Sequence, residues 1–178
     1  DTYLALRALR NFATEEQQPA KEARIADVGE WLLATQAKDT EDRVFRFRAL
    51  SYFDSEQDQI TAERNELISQ QREDGGWSQK PEMPSDAYAT GSVLAALLRD
   101  GASRSGPMIE RGVTYLLDSQ LEDGSWHVVT RAKPFQPYFE TGFPHKKDQF
   151  ISTAATGWAT IALALTLPET ELETSKAE

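Results

Sequence analysis

The sequence predicts an all-α protein of repeating helix hairpins in an inner and an outer layer, a partial α/α toroid of about seven helices. Three observations predict it. The pattern Gln-x-x-Asp-Gly-x-Trp occurs twice, at Gln71–Trp77 and Gln120–Trp126, and a recurrence 49 positions apart has the period of a repeat architecture. Helical spacing of apolar residues runs through nearly the whole chain. Segments apolar on most of their circumference also alternate with segments carrying a single apolar stripe.

The all-round apolar segments are Thr2–Phe12, roughly Glu41–Phe53, Asp86–Arg99 and Ser152–Thr166, each expected to be surrounded by protein. Between them lie three striped segments. The clearest stripe is Ile109, Val113, Leu116, Leu117 and Gln120; Ile60, Leu67, Ile68 and Gln71 form another, and Ile25, Val28, Leu32 and Leu33 a third. Inner helices wrapped by outer ones produce this order. No strand is needed, although β-branched Val128, Val129 and Thr130 suit a short extended piece at 127–130.

Both motif copies stand where a striped helix ends and the chain turns toward the next buried one. Gly75 and Gly124 supply the positive φ that closes a helix, and Gln71 and Gln120 can bond backbone groups at its end. Asp74 and Asp123 favour the turn, while Trp77 and Trp126 cover it and keep an N–H to donate. These eight residues are expected to be structural. An eroded earlier copy follows Trp31-Leu32-Leu33-Ala34-Thr35-Gln36, which parallels Tyr115-Leu116-Leu117-Asp118-Ser119-Gln120; Asp39 remains, but Thr40 and Asp42 replace the glycine and tryptophan.

Composition bounds the function. With 39% hydrophobic and 27% charged residues the chain is globular, and 178 residues suit one domain with a real core. A net charge of −10 repels nucleic acid, and the basic groups Arg43/Arg46/Arg48 and Lys146/Lys147 are too small to reverse that. The absence of cysteine removes disulfides, thiolate metal sites and a thiol nucleophile, without fixing a compartment. The apolar stretch 152–167 is shorter than the roughly 20 residues a bilayer requires, so no transmembrane segment is expected. The chain opens at Asp1 rather than methionine, as a processed product or a piece of something larger would.

Two places carry candidate chemistry. Asp86, heading a buried segment, is a candidate general acid; the plainer alternative has Ser85 capping the helix and Asp86 favouring its positive end. The stretch 127–149 is expected to be a long ordered loop, because loops of this length in compact domains are commonly functional and this one is rich in aromatics. It holds both histidines, so His127, His145 and Asp148 join Asp86 as catalytic candidates. Tyr88, Arg131, Phe135, Tyr138, Phe139 and Glu140 are candidate ligand contacts. The plainer alternative pairs Arg131 with Glu140 and uses Phe135, Tyr138, Phe139, Phe143 and Phe150 to pack the loop onto the body. The histidine spacing fits no standard metal motif, and neither metal nor cofactor is expected.

The two motif copies resemble the QW motif of the prenyltransferase/squalene-oxidase repeat superfamily, which includes squalene cyclases, other class II terpene cyclases and protein prenyltransferase β subunits. The resemblance covers roughly residues 20–167 and implies an α/α toroid. Residues 131–148 are also similar to a tract in other bacterial proteins with this repeat, which assigns no chemistry. The chain departs from the pattern in its helix number, lower than a complete toroid's. The cyclases' Asp-x-Asp-Asp acid cluster is reduced to Asp86-Ala87-Tyr88-Ala89, and the prenyltransferase zinc cysteine is missing. The resemblance implies an apolar, isoprenoid-like ligand at the inner helices, with acid–base work by Asp86 or the 127–148 loop. Two other classes compete: a non-catalytic interaction module, with self-association or the rest of a larger toroid as partner, and a polysaccharide lyase-like toroid, which needs a basic groove.

Overall fold

The computed structural model describes residues 2–52, 56–133 and 139–168. All regular structure among them is helical: α1 Thr2–Phe12, α2 Gln18–Ala34, α3 Thr40–Tyr52, α4 Gln57–Ser69, α5 Ala87–Arg99, α6 Pro107–Ser119 and α7 Gln149–Thr166, with short 3-10 turns at Glu15–Gln17 and Lys146–Asp148. Seven helices stand in the expected order, but α7 does not have the apolar coat expected of residues 152–166: it buries one stripe, Gln149, Ser152, Ala155, Ala159 and Ala162, and exposes Thr153, Ala154, Gly157 and Thr160. Residues 127–130 join no ladder, and among the described residues one isolated bridge pairs Ser78 with Ser85. The chain divides into two compact units, residues 1–69 and 70–178.

In the first unit α3 packs on α4 and α1. Thr40, Val44, Phe47 and Leu50 recur at helical spacing and are buried. Asp39 accepts the Asp42 N–H at 2.9 Å, satisfying a donor that the first turn of α3 would otherwise leave open. Arg46 Nε donates to Glu63 Oε1 at 2.8 Å, tying α3 to α4. α1 departs from expectation. Only Tyr3 and Leu6 are buried, whereas Leu4 and Phe12 are exposed, so this helix carries a stripe rather than a full apolar coat.

In the second unit α5 and α7 form the most intimate pair. Ala87 and every residue of α5 from Ala89 to Leu97 are buried, as an inner helix requires, while Tyr88 is half-buried. Its closest approach is at Gly91, where a Cβ would lie 2.7 Å from the Ala159 nitrogen and 2.8 Å from the Trp158 carbonyl carbon. α6 buries only the stripe Ile109, Gly112 and Leu116.

The two complete motifs fold into the same joint. Gln71 Nε2 donates to the Gly75 carbonyl at 2.9 Å, and Gln120 Nε2 to the Gly124 carbonyl at 3.0 Å. Asp74 Oδ1 accepts the Gly76 N–H, and Asp123 Oδ1 the Ser125 N–H, both at 2.9 Å. Gly75 and Gly124 hold φ of 84° and 81°, the region that favours glycine. Each joint then docks on an inner helix: the Trp77 N–H donates to Thr90 Oγ1 at 2.9 Å, and the Trp126 N–H to Thr156 Oγ1 at 3.2 Å. Both tryptophans are buried.

Candidate functional site

The joint delivers the chain to the head of α5, where Asp86 rather than Ser85 is the cap. Asp86 is extended (φ −148°, ψ 163°), and its Oδ1 accepts the Ala89 N–H at 2.9 Å. Ser85 instead donates its hydroxyl to Asp74 at 3.0 Å. The second oxygen of Asp86 accepts from Gln79 Nε2 at 2.9 Å. Burial raises the Asp86 pKa, and this outweighs the anion-stabilising bonds from Ala89, Gln79 and Tyr88 and the nearby charge of Arg131. A carboxyl shifted this way holds its proton to higher pH than an exposed aspartate.

Tyr115 completes this end of the unit and escaped the sequence reading. Burial, then the charges of Asp74 and Asp86, push its phenol up to about 12. Its ring packs where a Cβ on Gly76 would fall 3.0 Å away. Its one signal in the sequence is the parallel with Trp31, five positions before the glutamine in each copy.

The head of α7 gathers the second cluster. Asp148 is buried; burial alone would raise its pKa, but the Thr130 N–H and His127 override it and hold the carboxyl below its ordinary value. The Thr130 N–H reaches Asp148 Oδ1 at 3.0 Å, and His127 Nε2 lies 3.0 Å from Oδ2. The rings of His127 and His145 stack with centroids 4.8 Å apart and 15° between planes. His145 Nε2 meets Ser125 Oγ at 3.0 Å, and Ser125 Oγ lies 2.7 Å from Asp123 Oδ1.

Proton positions follow. A carboxylate only accepts, so His127 carries its hydrogen on Nε2. The 2.7 Å Ser125–Asp123 contact needs the hydroxyl proton, leaving His145 Nε2 as donor to Ser125. Ser125, with its proton directed to Asp123, is not set up as a nucleophile. His145 adopts φ 76°, an uncommon conformation for a residue with a side chain, and the Ser125 bond and ring stack hold it there.

Polar groups pin the described parts of the loop, where the plainer alternative had packed aromatics. Gln149, fully buried, donates to the Phe139 carbonyl at 2.7 Å and accepts the Thr141 N–H at 3.0 Å. Ser152 accepts the Val128 N–H at 3.0 Å. Phe139, Phe143 and Phe150 are exposed, as is Val129. Glu140 accepts the Gly142 N–H at 3.0 Å, a turn contact. Phe135 and Tyr138 lie outside the described residues. Among the described residues no three His, Asp or Glu are grouped to hold a metal ion, and no helix is long and apolar enough to cross a membrane. Two cavities, of about 290 and 840 Å³, are lined by residues of the first unit.

An all-helical chain whose hairpins meet at Gln-x-x-Asp-Gly-x-Trp joints defines a terpene-cyclase-like repeat domain. A family model, the squalene-hopene cyclase C-terminal domain, matches residues 21–176, and the chain belongs to that family. It is similar to copalyl diphosphate synthase of Streptomyces anulatus, 45% identical over 65 residues, and to drimenyl diphosphate synthase of Streptomyces showdoensis, 34% identical over 70 residues. Those matches cover 36% and 39% of this chain and 12% of each relative, so the shared stretch is a small part of either synthase. Neither comparison points to an interaction module or a polysaccharide lyase.

Proposed function

We propose that this domain binds an isoprenoid-like ligand, an apolar chain with an anionic head, at the heads of the inner helices α5 and α7. The observation that carries the proposal is the company kept at the head of α7. Val129, Phe139, Phe143 and Phe150 expose apolar surface there, and Lys146 and Lys147 stand in the adjoining turn, in a protein whose net charge is −10. Arg131 adds a cation within electrostatic reach of Asp86. Aromatic faces suit an unsaturated hydrocarbon, and lysine and arginine suit a diphosphate. The two similar synthases are each named for a diphosphate, which supports the same ligand class.

In this proposal Asp86 is the acid of any chemical step. Its carboxyl proton would pass to an alkene carbon, the π pair forming the new C–H bond and leaving a carbocation on the ligand, while the O–H pair stays on a carboxylate still bonded to Ala89 and Gln79. The test is equilibrium binding of farnesyl diphosphate, with farnesol as the headless control. Saturable binding is expected, about tenfold weaker for farnesol and for the exposed-site double variant F139A/F150A, a loss of about 1.4 kcal/mol. Absence of saturation, or affinity indifferent to both changes, refutes the site. Any cyclised product should disappear in D86N with binding retained; turnover that survives D86N removes Asp86 from the step.

A further inference from the structure

The eroded first copy keeps the helix end of the joint and loses its tryptophan. In the complete copies residues 72–86 and 121–148 separate the motif glutamine from the next helix, whereas only residues 37–39 follow Gln36 before α3. In the third copy the buried Trp126 indole donates its Nε1–H to the Leu116 carbonyl at 2.8 Å, beside Ser119. Leu32 and Thr35 stand at the corresponding places of the first copy, with no indole delivered to them. The structure holds there a cavity of about 290 Å³, lined by Leu32, Thr35 and Gln36 and walled by Tyr3, Trp31 and Phe45.

We propose that this cavity is a binding site for a small, neutral, planar aromatic molecule with an N–H donor, which occupies the place of the absent motif tryptophan. Size supports this ligand class. An apolar cavity of roughly 150 Å³ takes a single benzene ring, and pockets for drug-sized molecules begin at roughly 300 Å³, so a fused bicycle fits between them. The walls supply aromatic faces and edges for ring contacts. α2 ends beside the cavity: the Thr35 N–H bonds back to the Trp31 carbonyl at 3.0 Å and the Thr35 carbonyl receives the Arg46 guanidinium. The Leu32 carbonyl, counterpart of the Leu116 acceptor, lies in the same last turn, where helices leave carbonyls open. The remaining lining mixes signs, Lys38 and Arg46 against Glu41 and Asp42, so no net charge selects an ionic ligand. Trp31, 52% exposed, borders the cavity and serves as its reporter.

The probe is indole, titrated into the full chain labelled with nitrogen-15. Saturable shifts are expected at the Trp31 side chain and the Leu32, Thr35 and Gln36 amides. N-methylindole, which lacks the donor, should bind about fivefold more weakly. Ala37→Trp places an indole in the lining and should abolish the shifts; Ala37→Leu, a milder change, should weaken binding severalfold and carries the comparison if the tryptophan variant does not fold. Shifts that fail to saturate by low-millimolar indole, spread through residues 70–168, or persist in both variants overturn the site. Equal affinity for N-methylindole overturns the Leu32 acceptor.

Discussion

The α5–α7 contact makes opposite predictions for two glycines. A methyl group at Gly91 would stand 2.7 Å from the Ala159 nitrogen and 2.8 Å from the Trp158 carbonyl carbon, and both obstacles are backbone. Neither can rotate aside, so the helices must separate or slide. Overpacking of this kind costs about 1–3 kcal/mol, and the better helix propensity of alanine returns at most about 1 kcal/mol. Gly91→Ala is therefore expected to destabilise by about 1–2 kcal/mol. Gly157 is also helical but has nothing within 4 Å of an added Cβ, so Gly157→Ala gains the propensity alone, about 0.5–1 kcal/mol. Thermal unfolding followed by circular dichroism should show the first variant melting roughly 2–8 °C lower and the second roughly 1–4 °C higher. A Gly91→Ala protein as stable as the parent would refute the close approach.

Two further outcomes follow from the site geometry. Thr156→Val removes the acceptor of the Trp126 N–H and should cost about 1–3 kcal/mol in urea unfolding, whereas Thr156→Ser, which keeps the hydroxyl, should cost less; equal losses would mean that the hydrogen bond is not what matters. Asp86 and Asp148 should bend the pH dependence of stability in opposite senses. The Asp148 pKa is lowered on folding, so its contribution is present above the ordinary value of 3.8 and fades as pH falls through the folded value; Asp148→Asn should flatten that acid loss. The Asp86 pKa is raised, so its contribution is full below 3.8 and fades as pH rises through the folded value. Asp86→Asn should remove that decline, and the same slope for both variants contradicts the assignment.

The helices were legible because burial writes a 3.6-residue rhythm into the chain. α5 shows why: its apolar circumference is matched by unbroken burial from Ala89 to Leu97. α1 shows the limit, since apolar residues on a far side do not reveal whether protein or solvent lies there. The joints were legible in kind, because turn chemistry is local. Their docking points, Thr90 and Thr156, were not, and neither were Gln79, Ser125 and Gln149. A small polar residue becomes an anchor only through a partner distant in sequence, as Gln149 does with Phe139 and Thr141. The aromatics of the loop misled for the same reason: ring count suggested packing, and polar bonds supply the attachment.

Thr90 is the fourth residue of α5 and Thr156 the eighth of α7, so α7 starts about one turn earlier relative to its tryptophan bond. That additional turn carries Gln149, which fastens the long connector. Connectors of very different length thus plug into one unchanged socket, the difference absorbed by a turn of helix rather than by the body. A connector of another length between Trp126 and the head of α7 therefore needs no change in the socket that receives it.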